Sequence, residues 1–217
     1  DDPAMYSSQN EQDTRYFAVH SDIPLLDAAN PQEALDMTRE AFKISERLRL
    51  PVIVRLTTRV AHGKARVKIN EIVKSSRKAE FDKNASRWVM VPSNAIKQHI
   101  VLKEKLQKAT ELVNRSKFNV IEDNRKEVGI VGSGIGYYYA RSVLDTSQFS
   151  WLKLGFVYPF PMDVFKRFAS KVKKIIILEE LRPYIENNIC FLHPEILGKN
   201  ELGLDEIGEF NPDVIKD

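Results

Sequence analysis

Small polar side chains near the start of the sequence could bind an anionic ligand. Those able to donate or accept hydrogen bonds are Ser7, Ser8, Gln9 and Asn10. Glu11 follows Ser8 at the spacing of a capping box, which predicts a helix over about residues 9–19. The free N–H groups at the start of that helix would favour a carboxylate or a phosphate, although a capping box without a ligand explains the same residues.

Arg59 and His62 form a second candidate site. They lie in TTRVAHG, directly after PVIVRL, which predicts a strand buried on both faces. Ligands of parallel sheets bind at the carboxyl ends of the strands, so the Arg59 guanidinium could hold an anionic substrate. The sequence equally allows Arg59 to pair with a surface carboxylate and His62 to be a solvated loop residue.

The glycines of GSGIG, at residues 132–136, match a nucleotide-binding fingerprint only in part. The fingerprint is G-x-G-x-x-G, and Tyr137 stands where the third glycine would allow close packing of helix on strand. No acidic residue ends the next predicted strand to bind a ribose hydroxyl. A tight turn with positive φ explains the glycines better, and a nucleotide-binding module stays as an alternative.

Glu179 and Glu180 follow the predicted strand KIIIL, where two carboxylates could divide the roles of acid and base. Arg182 and nearby lysines instead favour a surface ion-pair cluster. The four histidines are scattered along the sequence, and no spacing typical of a metal site is present. The sequence therefore predicts no metal ligand and assigns no catalytic residue.

Cys190 is the only cysteine. A disulfide framework, a zinc ribbon and a cysteine-ligated iron–sulfur cluster each need several thiols, so these 217 residues exclude all three. The position of Cys190 at the end of a predicted helix favours a small buried apolar side chain.

The overall charge and hydropathy exclude other classes of partner. A net charge of +3 is too small to indicate a nucleic-acid partner. No apolar run approaches the roughly 20 residues that span a bilayer, and the start of the sequence lacks the pattern of a secretion signal. The sequence predicts a cytoplasmic protein without membrane contact.

The pattern of helix and strand signals predicts an α/β fold. Asn30, followed by Pro31, caps a helix that precedes the strand PVIVRL. A long helix over about residues 95–114 has Ser93 or Asn94 as its cap. Three strand–helix pairs then begin with EVGIV, WLKLGFV and KIIILEE, which is the order of a parallel sheet.

These elements predict two parallel-sheet α/β pieces joined by a basic helical linker. The predicted boundaries are residues 1–63, 64–125 and 126–217. Between Lys64 and Arg87, eight Lys/Arg stand against three Asp/Glu. Because apolar periodicity is weak there, a solvated linker is favoured over a phosphate-binding strip.

Several strings resemble, in order, the alpha subunits of the indolepyruvate ferredoxin oxidoreductases, a thiamine-diphosphate-dependent family of 2-oxoacid:ferredoxin oxidoreductases. DDPAMYSSQNEQDTRYFA, IPLLDAANPQEALDM and LPVIVRLTTRVAH resemble the end of its pyrimidine-binding domain. RWVMVPSNAIKQH resembles its interdomain segment. EVGIVGSGIGYYYARSVL, LKLGFVYPFP and KIIILEEL are similar to its transketolase C-terminal-like domain.

The resemblance implies a reaction and its cofactors. The expected reaction is oxidative decarboxylation of aryl 2-oxoacids, such as indolepyruvate, with coenzyme A, giving aryl-acetyl-CoA and reduced ferredoxin in amino-acid degradation. Thiamine diphosphate with magnesium and [4Fe-4S] clusters would serve the full enzyme. A smaller beta subunit and ferredoxin would be the partners.

The resemblance also implies roles for the candidate residues. The loop expected to face the cofactor and substrate contains Ser7, Ser8, Gln9 and Asn10, and Arg59 and His62 match a strand-end motif nearby. Tyr6 stands where the family commonly has histidine, and a tyrosine does not carry protons near neutral pH.

The resemblance further implies that the chain is an internal fragment. The glutamate that activates the aminopyrimidine would lie upstream of Asp1, and no Gly-Asp pair is present for a magnesium–diphosphate site. The 217 residues alone are expected to be inactive and to bind thiamine diphosphate weakly or not at all. A non-catalytic subunit-interface domain, with self-association, is the other alternative.

Overall fold

The computed structural model describes residues 1–72, 78–192 and 195–216. In chain order the elements are α1 (Thr14–Ser21), β1 (Leu25–Asp27), α2 (Pro31–Leu48), β2 (Ile53–Arg55), α3 (Thr58–His62), α4 (Ala85–Trp88), α5 (Pro92–Asn114), β3 (Val120–Glu122), β4 (Val128–Ser133), α6 (Gly134–Val143), a 3₁₀ turn (Thr146–Gln148), β5 (Ser150–Leu154), β6 (Phe156–Tyr158), α7 (Met162–Ala169), β7 (Lys174–Leu178), α8 (Tyr184–Ile189), β8 (Ile196–Leu197), α9 (Lys199–Leu202) and α10 (Pro212–Lys216). Helices and strands alternate along most of the chain, as an α/β fold requires.

The first helix does not begin where the capping box predicts. α1 starts at Thr14 and is capped by Asp13, whose carboxylate accepts from the Arg15 N–H. The Ser8 hydroxyl donates instead to the Asn10 carbonyl, at 2.8 Å. The predicted helix is present, but its start and its Ser8 cap are wrong, because α1 begins at Thr14 with Asp13 as its cap.

The N-terminal sheet has the strand order β2–β1–β6. β1 is fully buried and pairs in parallel with β2, with Leu25 opposite Ile53. β2 was expected to be buried on both faces, but it lies at the edge, and Ile53 and Val54 are only partly buried. That expectation is wrong for this chain, since no further described strand pairs with its outer side. The carboxyl ends of β1 and β2 thus lie together.

Helix α2 follows the predicted signals. Asn30 accepts from the Glu33 N–H at 3.0 Å, and Pro31 occupies the first helical position. The Glu33 carboxylate accepts in turn from the N–H of Ala29. The helix buries its apolar face, which includes Met37, on the N-terminal sheet.

The C-terminal sheet has the order β3–β5–β4–β7–β8. The predicted strands in EVGIV, WLKLGFV and KIIILEE form β5–β4–β7 and pair in parallel with one another, whereas β3 pairs antiparallel with β5 at the edge. WLKLGFV is broken at Gly155, where a side chain would not fit, since a Cβ would lie 2.7 Å from the Phe118 carbonyl oxygen. The continuation, β6, leaves this sheet and pairs antiparallel with β1. The two sheets are therefore joined by one segment of chain, while the exact domain boundaries stay predictions.

The linker contains the long predicted helix. α5 begins at Pro92, and the Asn94 amide donates to the Val89 carbonyl instead of capping the helix. Residues 73–77 of the basic stretch lie outside the described residues. Within the described part of the chain, no helix combines the length and apolar character that crossing a membrane requires.

Two further expectations concern the last third of the chain. The helix predicted in RPYIENNICFL is shorter than expected and spans Tyr184–Ile189. Cys190 ends that helix and is exposed, so its predicted burial is wrong. The buried residue is its neighbour, Ile189, which faces the core.

Candidate functional site

A surface cleft of about 570 Å³ lies between the N-terminal loop and α3. Its lining residues are Tyr6, Ser7, Thr58, Arg59, His62 and Gly63. Three of the six candidate residues, Ser7, Arg59 and His62, therefore come together from two distant segments. The cleft adjoins the carboxyl end of β2, the edge at which parallel sheets bind ligands.

The Arg59 guanidinium is the main charged group of the cleft. Its Nε lies 3.0 and 2.9 Å from the two carboxylate oxygens of Glu209, and one Nη also donates to Glu209. The Tyr6 hydroxyl donates to the same carboxylate at 2.9 Å, and the Tyr6 ring centre lies 5.3 Å from the guanidinium. Arg59 thus pairs with a carboxylate of its own chain, one of the two arrangements that the sequence allows.

The charges of this contact shift the pKa values of both acids. The hydrogen bond from Arg59 lowers the pKa of Glu209, and the hydrogen bond to Glu209 raises the pKa of Tyr6. Glu209 is therefore ionised and Tyr6 neutral near pH 7. His62 is exposed and completes the rim of the cleft.

The polar residues 7–10 near the N-terminus do not line one common cleft. Asn10 lines a separate cleft of about 340 Å³ together with Tyr16 and Arg182, whereas Ser8 and Gln9 line neither cleft. The Ser7 and Ser8 N–H groups both donate to the Asp2 carboxylate, at 2.8 and 3.0 Å. The N–H groups at the actual start of α1 are also bonded within the chain, Thr14 to Asp1 and Arg15 to Asp13, both at 3.1 Å.

A buried ion pair lies beneath this surface. Arg15 is 1% exposed and donates to Glu179 at 2.6 Å and to Asp13 at 2.8 Å. Glu179 also accepts from the N–H groups of Ile185 and Glu186 at the start of α8. The predicted surface cluster at Glu179 is wrong, because α1 covers the end of β7 and excludes water from it.

Glu180 is buried as well, at 4% exposure. One carboxylate oxygen accepts from the Phe210 N–H at 2.9 Å, and the other has no partner. Burial raises the pKa of Glu180 to about 7, although the nearby Arg55 opposes that rise. The predicted surface role of Glu180 is therefore also wrong.

Other buried polar atoms near the strand ends lack partners too. Arg55 ends β2 and donates to Asp27, which ends β1, at 3.0 Å, but its second Nη and the Thr57 hydroxyl make no hydrogen bond. The sequence pattern did not single out Arg55, Asp27 or Thr57. The signal that could have found them is a polar residue at the end of an apolar run, Arg55 and Thr57 in PVIVRLTT and Asp27 in PLLD.

The backbone conformation and the surroundings of Gly134 explain why the turn contains glycine. Gly134 has φ +52° at the start of α6, and a Cβ there would lie 2.9 Å from the Asp27 carboxylate. The glycine is therefore needed both for its backbone conformation and for the space beside a buried charge. No phosphate-binding role is required to explain it.

Gly134→Ala is expected to destabilise the fold by about 2–4 kcal/mol, since it adds left-handed strain and displaces Asp27. Gly203 is a matched control, because it has φ +65° and no atom lies within 4 Å of the place that a Cβ would take. Gly203→Ala should cost only about 1–2 kcal/mol, which is the strain of the left-handed conformation alone. Urea unfolding measures both, and equal losses would contradict the close contact with Asp27.

The side chains that could bind a metal ion do not form a site in the part of the chain that the structure describes. Residues 1–72, 78–192 and 195–216 contain no group of three or more His, Cys, Asp or Glu side chains placed to hold a metal ion. The sequence likewise contains no Gly-Asp pair. These residues by themselves therefore do not fit a metal-bound diphosphate.

A solved structure resembles the fold. The 2-oxoglutarate:ferredoxin oxidoreductase from Magnetococcus marinus, solved with 2-oxoglutarate, coenzyme A and succinyl-CoA bound, aligns with a TM-score of 0.64. The alignment covers 95% of this chain and 44% of that chain at 14% identity. The likeness confirms the predicted α/β fold class and, at this identity, shows the fold alone.

Sequence relatives and a family model show to which protein family the chain belongs. Indolepyruvate oxidoreductase subunit IorA of Methanothermobacter thermautotrophicus is 34% identical over 226 residues, covering 100% of this chain and 37% of the relative. The protein of the same name from Thermococcus kodakarensis is 37% identical over 198 residues, covering 87% of this chain and 31% of the relative. The chain thus spans about a third of the length of these curated relatives. A family model described as pyruvate flavodoxin/ferredoxin oxidoreductase, thiamine-diphosphate-binding, matches residues 2–129. The chain belongs to this family.

Proposed function

We propose that the chain is a portion of the alpha subunit of an indolepyruvate:ferredoxin oxidoreductase. The complete enzyme would decarboxylate aryl 2-oxoacids oxidatively with coenzyme A, giving aryl-acetyl-CoA and reduced ferredoxin. The names of the curated relatives and the family match over residues 2–129 support this proposal. A smaller beta subunit and ferredoxin are the proposed partners, and the proposed domain boundaries are those given from the sequence.

One observation carries the site assignment: the N-terminal loop and α3 meet at a cleft that contains Ser7, Arg59 and His62. We propose that the Arg59 guanidinium binds the carboxylate of the 2-oxoacid, because a planar guanidinium matches a carboxylate with two hydrogen bonds. His62 and Ser7 would bind the polar remainder of the substrate. Ser8, Gln9 and Asn10 are proposed to face the cofactor from the same loop.

Thiamine diphosphate, magnesium and [4Fe-4S] clusters are proposed for the complete enzyme and not for this chain alone. The N–H groups of Ser7 and Ser8 are bonded to Asp2, and the described residues offer no set of metal-binding side chains. When bound, thiamine diphosphate supplies the carbanion that attacks the 2-oxoacid. The isolated chain is expected to be inactive and to show weak or no binding of thiamine diphosphate by calorimetry.

Arg59→Gln in the complete enzyme tests the site assignment. The variant is expected to lower kcat/KM for indolepyruvate by about 10- to 100-fold, because it removes a charge-assisted hydrogen bond of about 1.5–3 kcal/mol. Arg66→Gln is the matched control, since Arg66 is an exposed arginine of the linker. Equal kcat/KM values in the two variants would remove Arg59 from the substrate site.

A further inference from the structure

A C-terminal strap, residues 203–211, crosses the candidate site between α9 and α10. Three consecutive strap residues bind three different parts of the chain. The Gly208 N–H donates to Glu11 of the N-terminal loop at 2.8 Å, and the Phe210 N–H donates to Glu180. Between them, Glu209 reaches Arg59 on α3. The strap therefore joins the two sides of the cleft to the end of β7.

One end of the strap is firmly anchored. Phe210 is 4% exposed and packs in a core cluster with Trp151 and Leu178. The Lys199 ammonium lies 4.9 Å from the Phe210 ring centre and donates to the Asp205 carbonyl at 2.8 Å. The burial of Phe210 therefore fixes the strap directly after Glu209, and a single hydrogen bond holds it at Asp205.

The segment before the anchor can change its backbone conformation more easily. Gly203 and Gly208 have positive φ values of 65° and 86°, and neither has any atom within 4 Å of the position of a Cβ. Ile207, between them, is 75% exposed. Because glycine reaches both signs of φ at little cost, this segment can hinge while Phe210 stays buried.

The contact between Glu209 and Arg59 resembles the contact that a bound carboxylate ligand would make. A carboxylate faces the guanidinium Nε with both oxygens, and the Tyr6 hydroxyl donates to the same group. The Arg59 side chain is 48% exposed and Glu209 is 11% exposed, so solvent and ligands reach this contact from the side of the guanidinium. The adjoining cleft of about 570 Å³ lies within the usual range of small-molecule sites, about 300–1,000 Å³.

We propose that Glu209 is an internal competitor that occupies the Arg59 guanidinium until a ligand carboxylate displaces it. The ligand is an aryl carboxylate, whose ring would lie beside Tyr6 at the cleft. This inference rests on the proposed function, in which Arg59 binds the 2-oxoacid. Release of the strap at its glycines is the step that frees the Arg59 guanidinium.

The competition has a measurable effect on the apparent Kd of the ligand. The apparent Kd of a ligand equals its intrinsic Kd divided by the fraction of molecules in the open state. If the strap is closed in about nine molecules of ten, removing its charge lowers the apparent Kd about tenfold. Glu209→Gln removes the charge and keeps nearly the same shape.

The experiment is calorimetric titration of the full chain with phenylpyruvate. Glu209→Gln should bind about tenfold more tightly than the parent. Glu206→Gln is the matched control, because Glu206 is an exposed carboxylate of the same strap. Arg59→Gln should lose about 10- to 100-fold in affinity in either background, and circular dichroism checks that each variant is folded. The uncharged 2-phenylethanol should not distinguish the parent from Glu209→Gln.

Each other outcome has a definite meaning. Equal Kd values for the parent and Glu209→Gln, both weakened by Arg59→Gln, would overturn the competitor role and leave the proposed substrate site intact. Tighter binding of phenylacetate and phenylpyruvate alike to Glu209→Gln would support the competitor role, but it would show that the cleft does not select 2-oxoacids. Absence of binding in every variant would overturn both proposals.

Discussion

Arg15→Met is expected to destabilise the protein by about 3–5 kcal/mol, because it leaves buried carboxylates without their partner. Arg15 is 1% exposed, and its guanidinium binds Glu179, Asp13 and the carbonyls of Glu180 and Arg182. Glu179 lies 0% exposed beneath it, and burial raises the pKa of this carboxyl. Removing the cation therefore forces Glu179 to take up a proton or remain an unpaired buried charge.

Urea unfolding near pH 7 measures this loss. Arg182→Met is the control, because Arg182 is an exposed arginine whose guanidinium lies 5.7 Å from the Tyr16 ring centre. It should change stability by no more than about 0.5 kcal/mol. The double variant Arg15→Met/Glu179→Gln should recover part of the loss, since it removes both charges. A loss as small as that of Arg182→Met would contradict the buried ion pair.

Glu180→Gln is expected to remove a pH-dependent part of the stability amounting to about 3 kcal/mol. Burial raises the pKa of Glu180 from 4.5 to about 7 in the folded protein. The folded state therefore binds the Glu180 proton more tightly than the unfolded state does. This contribution to stability is complete below pH 4.5 and is lost as the pH rises through about 7.

The measurement compares unfolding of the parent and the variant in urea from about pH 4 to about pH 8. The stability of the parent relative to Glu180→Gln should fall by about 3 kcal/mol across that range. Other titrating groups affect both proteins and cancel in the difference. Glu206→Gln, at an exposed position, should leave the pH dependence of the parent unchanged. Parallel curves for the parent and Glu180→Gln would show that folding does not shift the pKa of Glu180.

Local signals predicted much of the fold. The cap at Asn30 and Pro31 placed α2 correctly, because both residues act within one turn of the helix start. The apolar strands of the C-terminal sheet were found for a similar reason, since each is a short buried run between turn residues. The family expected from the motifs is confirmed by the match over residues 2–129.

Burial of charge could not be predicted from local sequence. Glu179 and Glu180 stand beside Arg182, which is typical of a surface cluster. Their actual partners, Arg15 and the Phe210 N–H, lie 164 and 30 residues away along the chain. Only the tertiary fold brings those groups over the end of β7, so neighbouring residues carry no signal of it.

For the same reason, the candidate site could be predicted from the sequence only in part. The motifs SSQN and TTRVAH contain Ser7, Arg59 and His62, which the structure brings to one cleft. Glu209 lies 150 residues from Arg59 in sequence, within an acidic segment that resembles a solvated surface. Its place on the guanidinium follows from the burial of Phe210 next to it.

A crystal structure of the complete enzyme with indolepyruvate tests the central claim most directly. We expect the substrate carboxylate within hydrogen-bond distance of the Arg59 guanidinium and the Tyr6 hydroxyl, with Glu209 moved away from both. A 2-oxoacid bound elsewhere, with Glu209 still paired to Arg59, would contradict the account.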